Sequence, residues 1–226
     1  MSRSKRNRPP LEEVYRLLFN QWGPQFWWPG RTRLEIIVGA ILTQNTAWTN
    51  VEKAICRLRK ARALNLRRLH SVDLKTLAEW IRPAGYFNVK ARRLRSFTQL
   101  MFGRFGGDLR RLFALETPAL REVLLSVNGI GPETADSILL YAAGRPAFVV
   151  DAYTRRFMMR HGWIGSGATY DDIARVFAAG LPRRVALYNE YHALIVALGK
   201  DLCRPKPRCA ECPLRSWLSP ARKKLK

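Results

Sequence analysis

Almost nothing in this chain alternates with the period of two that a half-buried strand requires. Apolar residues instead recur every third or fourth position in about ten stretches, at 11–22, 33–43, 47–61, 74–81, 89–102, 118–127, 132–142, 152–159, 170–179 and 185–198. Glycine and proline punctuate them at Gly30, 83–85, 106–107, 129–131, 144–146, 162–167, 180–182 and Gly199. Asp73 and Thr117 read as helix N-caps. There is no internal repeat and no long linker. The pattern predicts an all-α protein of about ten helices. A chain of 226 residues that is 47% hydrophobic can bury the core of one domain or two small ones.

Charge narrows the partners. Forty Lys and Arg face 17 Asp and Glu, a formal net charge of +23. Such an excess repels itself unless a polyanion shares the surface. Arginine dominates the dense groups at 57–62, 67–68, 90–95, 104–111 and 183–184. Its planar fork donates two bonds to one phosphate. Nucleic acid is the first candidate partner and an anionic membrane surface the second. No apolar run is long enough to span a bilayer, and the N-terminus lacks a signal-peptide core. The basic segments MSRSKRNRPP and ARKKLK read as solvated tails. These features predict a cytoplasmic, nucleoid-associated protein with no membrane partner.

The richest segment is VNGIGPETADSILLYAAGRPAFVVDAY, residues 127–153. Gly129 and Gly131 are read as adopting backbone angles closed to other residues, so the turn would expose N–H groups at the positive end of the next helix. Pro132 suits the first helical position and Glu133 the first turn. Asn128, Gly129, Ile130 and Gly131 are therefore candidate phosphate ligands. Asp151 follows the apolar run 147–150 and precedes another helical stretch, which makes it either an N-cap or a placed catalytic carboxylate.

Residues 127–157 resemble the helix-hairpin-helix, Gly/Pro-rich loop and aspartate signature of the endonuclease III superfamily of DNA glycosylases. Leu34–Thr46 is similar to that family's early helix and loop, and 203–213 to its C-terminal cysteine loop. The resemblance implies two helical domains with a DNA-binding cleft between them. A helical barrel would span 33–146, and a second domain would combine 1–32 with 147–226. It also implies that Asp151 is the catalytic carboxylate, and that Gln44 and Asn45 contact DNA where a base leaves the stack. Bifunctional members carry a lysine at the position of Glu133. A carboxylate cannot form an imine, so strand cleavage by that route should be absent. Adenine-specific relatives carry a glutamate where Ala40 stands.

The subgroup with the best match is that of the 3-methyladenine DNA glycosylases. It pairs a Trp-Trp-Pro element, here Trp27, Trp28 and Pro29, with an aromatic after a Gln-Asn-Thr loop, here Trp48 in place of the usual Phe. The resemblance implies a monofunctional enzyme that releases alkylated purines from double-stranded DNA, with Glu133 and Lys200 near the base pocket. A cationic alkylpurine stacks well on tryptophan. A glycosylase for uracil, mismatched thymine or oxidised pyrimidine, and an inactive DNA-binding protein, stay open. The protein is expected to act as a monomer.

Catalysis would need no cofactor. Cys203, Cys209 and Cys212 follow the family's cluster-binding spacing imperfectly: the first gap is one residue short, and Leu218 stands at the fourth position. A [4Fe–4S] cluster normally takes four thiolates. A cluster completed by water or by Cys56, and a zinc site completed by His192, stay open beside the favoured reading, a degenerate site without a cluster.

Overall fold

The computed structural model describes residues 9–27 and 30–218. Residues 1–8, Trp28, Pro29 and residues 219–226 lie outside the described residues, and with them the C-terminal basic tail and all but the two prolines of the N-terminal one. Every regular element among the described residues is a helix. The chain divides into two compact units, one of Trp28–Arg145 and one of Met1–Trp27 with Pro146–Lys226.

In the 28–145 unit, α2 (Arg33–Leu42) is the central helix. Leu34, Ile37, Val38, Ala40, Ile41 and Leu42 are all buried, and a helix apolar all round must be enclosed by others. Thr32 caps it, accepting from the Glu35 N–H at 3.2 Å. Against it pack α3 (Trp48–Lys60), α6 (Phe87–Phe105) and α9 (Pro132–Ser137), while α4 (Leu66–Ser71), α5 (Leu74–Trp80) and α7 (Leu109–Phe113) pack on α6, and α8 (Thr117–Leu125) packs on α9. Helix α9 runs directly into a π-helical turn, Ile138–Ala142, which packs on α2.

Two short helices, α4 and α7, fall outside the periodic stretches. Each offers only a few apolar positions, too few to establish a period. Their signal is the cap instead: Asn65 accepts from the Arg68 N–H at 2.7 Å and Asp108 from the Arg110 N–H at 2.8 Å. Asp73 caps α5 as expected, at 2.8 Å from the Thr76 nitrogen. Thr117 does not cap α8; it is the first helical residue, and Glu116 occupies the cap position without a side-chain bond.

Lys90 departs most from its expected place. It sits in a basic run but is only 1% exposed. Its ammonium donates to the carbonyls of Leu42 at 2.9 Å and Ala84 at 2.7 Å. It ties the end of α2 to the turn before α6. Burial, helped by the nearby Arg93 charge, pushes its pKa down to about 8. Arg95 is likewise turned inward, onto the Val72 carbonyl.

In the other unit, α12 (Val185–Asp201) is central, with α1 (Leu11–Trp22) and α10 (Ala152–His161) against it; α11 (Tyr170–Gly180) also contacts α1. Phe148 stacks on Phe177 with ring centroids 3.8 Å apart and meets Tyr188 and Tyr191 edge-on. Tyr191 is fully buried and donates to the Leu11 carbonyl at 2.9 Å. This aromatic cluster anchors the irregular run that leads to Asp151. No described helix is long and apolar enough to cross a membrane.

Candidate active site and nucleic-acid interface

Asp151 is the N-cap of α10. Its Oδ1 accepts from the Thr154 N–H at 2.7 Å and from the Thr154 hydroxyl at 2.9 Å. Its Oδ2 lies 3.5 Å from Nε2 of His192 on α12, and the Asp151 side chain keeps only 13% of its surface exposed. Burial raises the carboxyl pKa, but His192 and the two Thr154 donors outweigh it, so the net shift is downward. The group is an anion in a nearly dry site, with Oδ1 held by two hydrogen bonds and Oδ2 facing His192. Such a carboxylate stabilises developing positive charge well and accepts a proton poorly.

The aspartate is placed by close helix packing. A Cβ on Gly199 of α12 would stand 2.2 Å from Cδ1 of Tyr153, two residues after Asp151. Arg156 of α10 also donates to the Gly199 carbonyl at 3.0 Å. The bare glycine lets α10 approach α12 closely enough for His192 to face Asp151.

The hairpin lies in the 28–145 unit, between α8 and α9. Gly129 has φ +87, and a Cβ there would meet Cγ of Arg93 at 2.3 Å. Gly131 corrects the sequence reading: its φ of −91 and ψ of 179 are ordinary extended backbone. Ile130 is also corrected in part. Its side chain is buried and its N–H is spent on the Val127 carbonyl at 3.0 Å. Asn128 and Gly131 are exposed, and Pro132 and Glu133 open α9 as expected. Glu133 is exposed in the first turn.

Gln44 is not a free side chain. Its amide donates to the Gly129 carbonyl at 3.0 Å and to the Thr134 hydroxyl at 2.8 Å, and its oxygen accepts from Arg93. It braces the hairpin from behind. Asn45 beside it is exposed, with φ +53. Tyr86 has the same character: it is 72% exposed with φ +46. A bulky residue held in the left-handed region marks a strained position. Sequence reading missed Tyr86; its only signal was an aromatic directly after the glycine that precedes α6.

The expected base-pocket residues divide between the units. Trp27 is half-buried, with the Lys200 ammonium 5.9 Å from its ring centroid. Trp48 opens α3 and donates from Nε1 to Glu52 at 3.0 Å. It lines a cavity of about 230 Å³ with Glu35, Glu52, Ile55 and Arg59. Arg59 engages Glu35 through both Nε and Nη2, so that carboxylate is already paired.

The cysteine loop is one thiolate short of the four that a cubane cluster takes. Cys203, Cys209 and Cys212 line a void of only about 10 Å³ with Arg160, His161 and Leu218. Leu218 fills the fourth-ligand position with a buried apolar side chain. Arg160 donates to Sγ of Cys203 at 2.9 Å. Burial raises the Cys203 thiol, against the pull of Arg160 and Arg156, and raises Cys212 to about 11. No group of three potential ligands among the described residues is arranged to hold a metal ion. His192 faces Asp151 rather than the thiols. His161, which does reach the void, has Nδ1 2.9 Å from the Phe157 carbonyl and Nε2 3.3 Å from that of Leu214. Cys56 is exposed on α3 in the other unit.

A glycine turn between two helices, and a locked aspartate about twenty residues on, form the pairing read from the sequence. The family of HhH-GPD superfamily base excision DNA repair proteins matches residues 38–183. The chain belongs to this superfamily. Among HhH-GPD relatives, it is 47% identical over 208 residues to a putative DNA repair glycosylase of Methanocaldococcus jannaschii, covering 92% of this chain and 94% of that one. It is 30% identical to endonuclease III of Sulfolobus acidocaldarius over 83% of each chain. The structure of the H. pylori 3-methyladenine DNA glycosylase bound to 1,N6-ethenoadenine superposes with a TM-score of 0.73 at 29% identity, covering 84% of this chain and 97% of that one. This HhH-GPD chain is thus a base excision repair DNA glycosylase with the endonuclease III fold.

Proposed function

We propose that this glycosylase is monofunctional and hydrolyses the N-glycosidic bond of alkylated purines such as 3-methyladenine and 7-methylguanine, acting as a monomer on damaged duplex DNA. The observation that carries the reading is the pair of carboxylates. Asp151 is locked as an anion at the start of α10, and Glu133 stands where an attacking amine would be needed. The damaged nucleotide leaves the stack, at a lower cost than an intact one. The exposed Tyr86 and Asn45 press into the duplex, and the exposed backbone at Asn128–Gly131 meets phosphate. Asp151 then stabilises the oxocarbenium character at C1′ while water adds and gives its proton to solvent. An alkylated purine departs as a neutral base, so no strong general acid is required.

Trp27, in one unit, and Trp48, in the other, are each a candidate aromatic face for the base, and the likeness to an alkylpurine enzyme supports this substrate class. Trp28 and Pro29, next in the chain to Trp27, belong to the same proposal. One observation favours a second reading. The Lys200 ammonium already lies near the Trp27 ring, where it would repel a cationic base and suit the carbonyl oxygens of uracil or an oxidised pyrimidine. Base release from methylated and from uracil-containing duplexes, with strand nicking scored, tests both. Free methylated purine with an intact strand is the expected outcome. Release of uracil alone would replace the substrate class, and a borohydride-trapped adduct would overturn monofunctionality.

A further inference from the structure

We propose that His192 is a positioning residue for glycosidic cleavage, holding Oδ2 of Asp151 in its working orientation. This rests on the reading of Asp151 as the catalytic carboxylate. The geometry is specific. Thr154 supplies both hydrogen bonds to Oδ1. That holds one oxygen and leaves the carboxylate plane free to turn about it. His192 approaches the other oxygen from α12, with Nε2 at 3.5 Å. From this separation a small closure makes a direct hydrogen bond.

His192 is also costly where it stands. Its side chain is 7% exposed, on a helix whose buried neighbours are Tyr191, Ala193, Leu194 and Ile195. An imidazole among such residues loses its hydration, and that loss has to be offset by a partner. Asp151 is the carboxylate it faces. The groups facing Asp151 within this unit are Thr154 from α10 and His192 from α12. From α11, the Tyr170 hydroxyl instead accepts from the neighbouring Val150 N–H at 3.3 Å.

Bound DNA would remove the remaining solvent from Asp151. Desolvation then favours the protonated carboxyl more strongly, and a protonated carboxyl cannot stabilise a cation at C1′. The imidazole opposes that proton uptake. Loss of His192 should therefore appear in the pH profile as well as in the rate.

The test compares His192→Leu, which removes the donor, with His192→Gln, which keeps an N–H donor. Single-turnover base release is followed from about pH 5 to 9 on duplexes containing 7-methylguanine or uracil, using whichever base the wild type releases. The Leu variant should lose about tenfold in rate at neutral pH, with its acid limb moved up by about one unit, while DNA affinity holds. The Gln variant should regain most of the rate. A Leu variant with the wild-type rate and acid limb, or a Gln variant as slow as Leu, overturns the proposal. If the Leu variant does not fold, carboxyl 13C titration of Asp151 in the Gln and wild-type proteins decides: wild-type-like midpoints support a donor role, and a midpoint raised in the Gln variant as far as the ordinary carboxylate range overturns it. Asp151→Asn is run in parallel. If it stays active, the catalytic reading itself has failed; if it is inactive while His192→Leu behaves normally, only the role of His192 has failed.

Discussion

The Asp151 site and the hairpin are built in opposite ways. Asp151 is nearly buried, and the contacts that hold it come from one turn of its own helix and one residue of α12. The hairpin presents exposed backbone at Asn128 and Gly131, and its bracing comes from far away in sequence, through Gln44 and Arg93. The contrast matches the role proposed for each. A carboxylate that stabilises a developing cation gains strength as water is excluded. Amides that grip a phosphate must stay open to it, so their rigidity has to be supplied from behind.

The largest expected effect breaks the buried half alone. Asp151→Asn should lower base release by at least about 100-fold while leaving DNA affinity intact, measured by single-turnover release and by titration of labelled duplex. It should also change acid stability. The ionised Asp151 has a depressed pKa in the fold, so its contribution is present above the ordinary carboxylate range and lost as pH falls through the lowered value. The Asn variant should lack that acid-side decline in thermal melts.

Next in size is Gly129→Ala, which breaks the exposed half. It combines a φ of +87 with a clash against Arg93. A loss of about 1–3 kcal/mol in stability is expected, with weaker DNA binding and little change in the rate of bound complex. Gln44→Ala should be milder. It removes the brace without straining the turn and should cost about 1–2 kcal/mol, read as a fall in DNA affinity with the bound-state rate preserved. If Gln44→Ala instead lowers the bound-state rate as much as Asp151→Asn does, the division of labour between the halves is wrong.

The smallest effect concerns Lys90. Its pKa of about 8 in the fold lies below its ordinary value, so between roughly pH 8 and 10.4 the unfolded chain binds more protons than the native one. Stability from this group therefore rises with pH across that window. Lys90→Met should flatten the rise in denaturant melts taken at several pH values.

Lys90 also marks the limit of what the sequence makes legible. The helical class and the hairpin could be read because periodicity and turn chemistry are local properties. Asp151 as a cap could be read for the same reason. Whether a basic residue faces solvent or a pair of carbonyls is not local, and Lys90 and Arg95 were indistinguishable from their exposed neighbour Arg92. The same holds for His192, whose meeting with Asp151 depends on a close helix crossing at Gly199. Gly131 looked like a second left-handed glycine because its spacing from Gly129 suggested it; the turn needs only one. The cysteine spacing was legible as a departure from four-thiolate ligation, but the way Leu218 and Arg160 fill the space around it depends on packing.

The π-helical turn at Ile138–Ala142 gives the helix behind the hairpin a residue to spare. A π turn accommodates one residue more than the α-helix it interrupts. Removing a single residue from this stretch would restore plain α-helix and leave the faces of α9 close to where they now stand, whereas the same deletion in an uninterrupted α-helix turns the segment before it by about 100°. The contact that α9 makes with Gln44 through Thr134 would be kept. A one-codon deletion here should therefore be tolerated better than one inside α2 or α6.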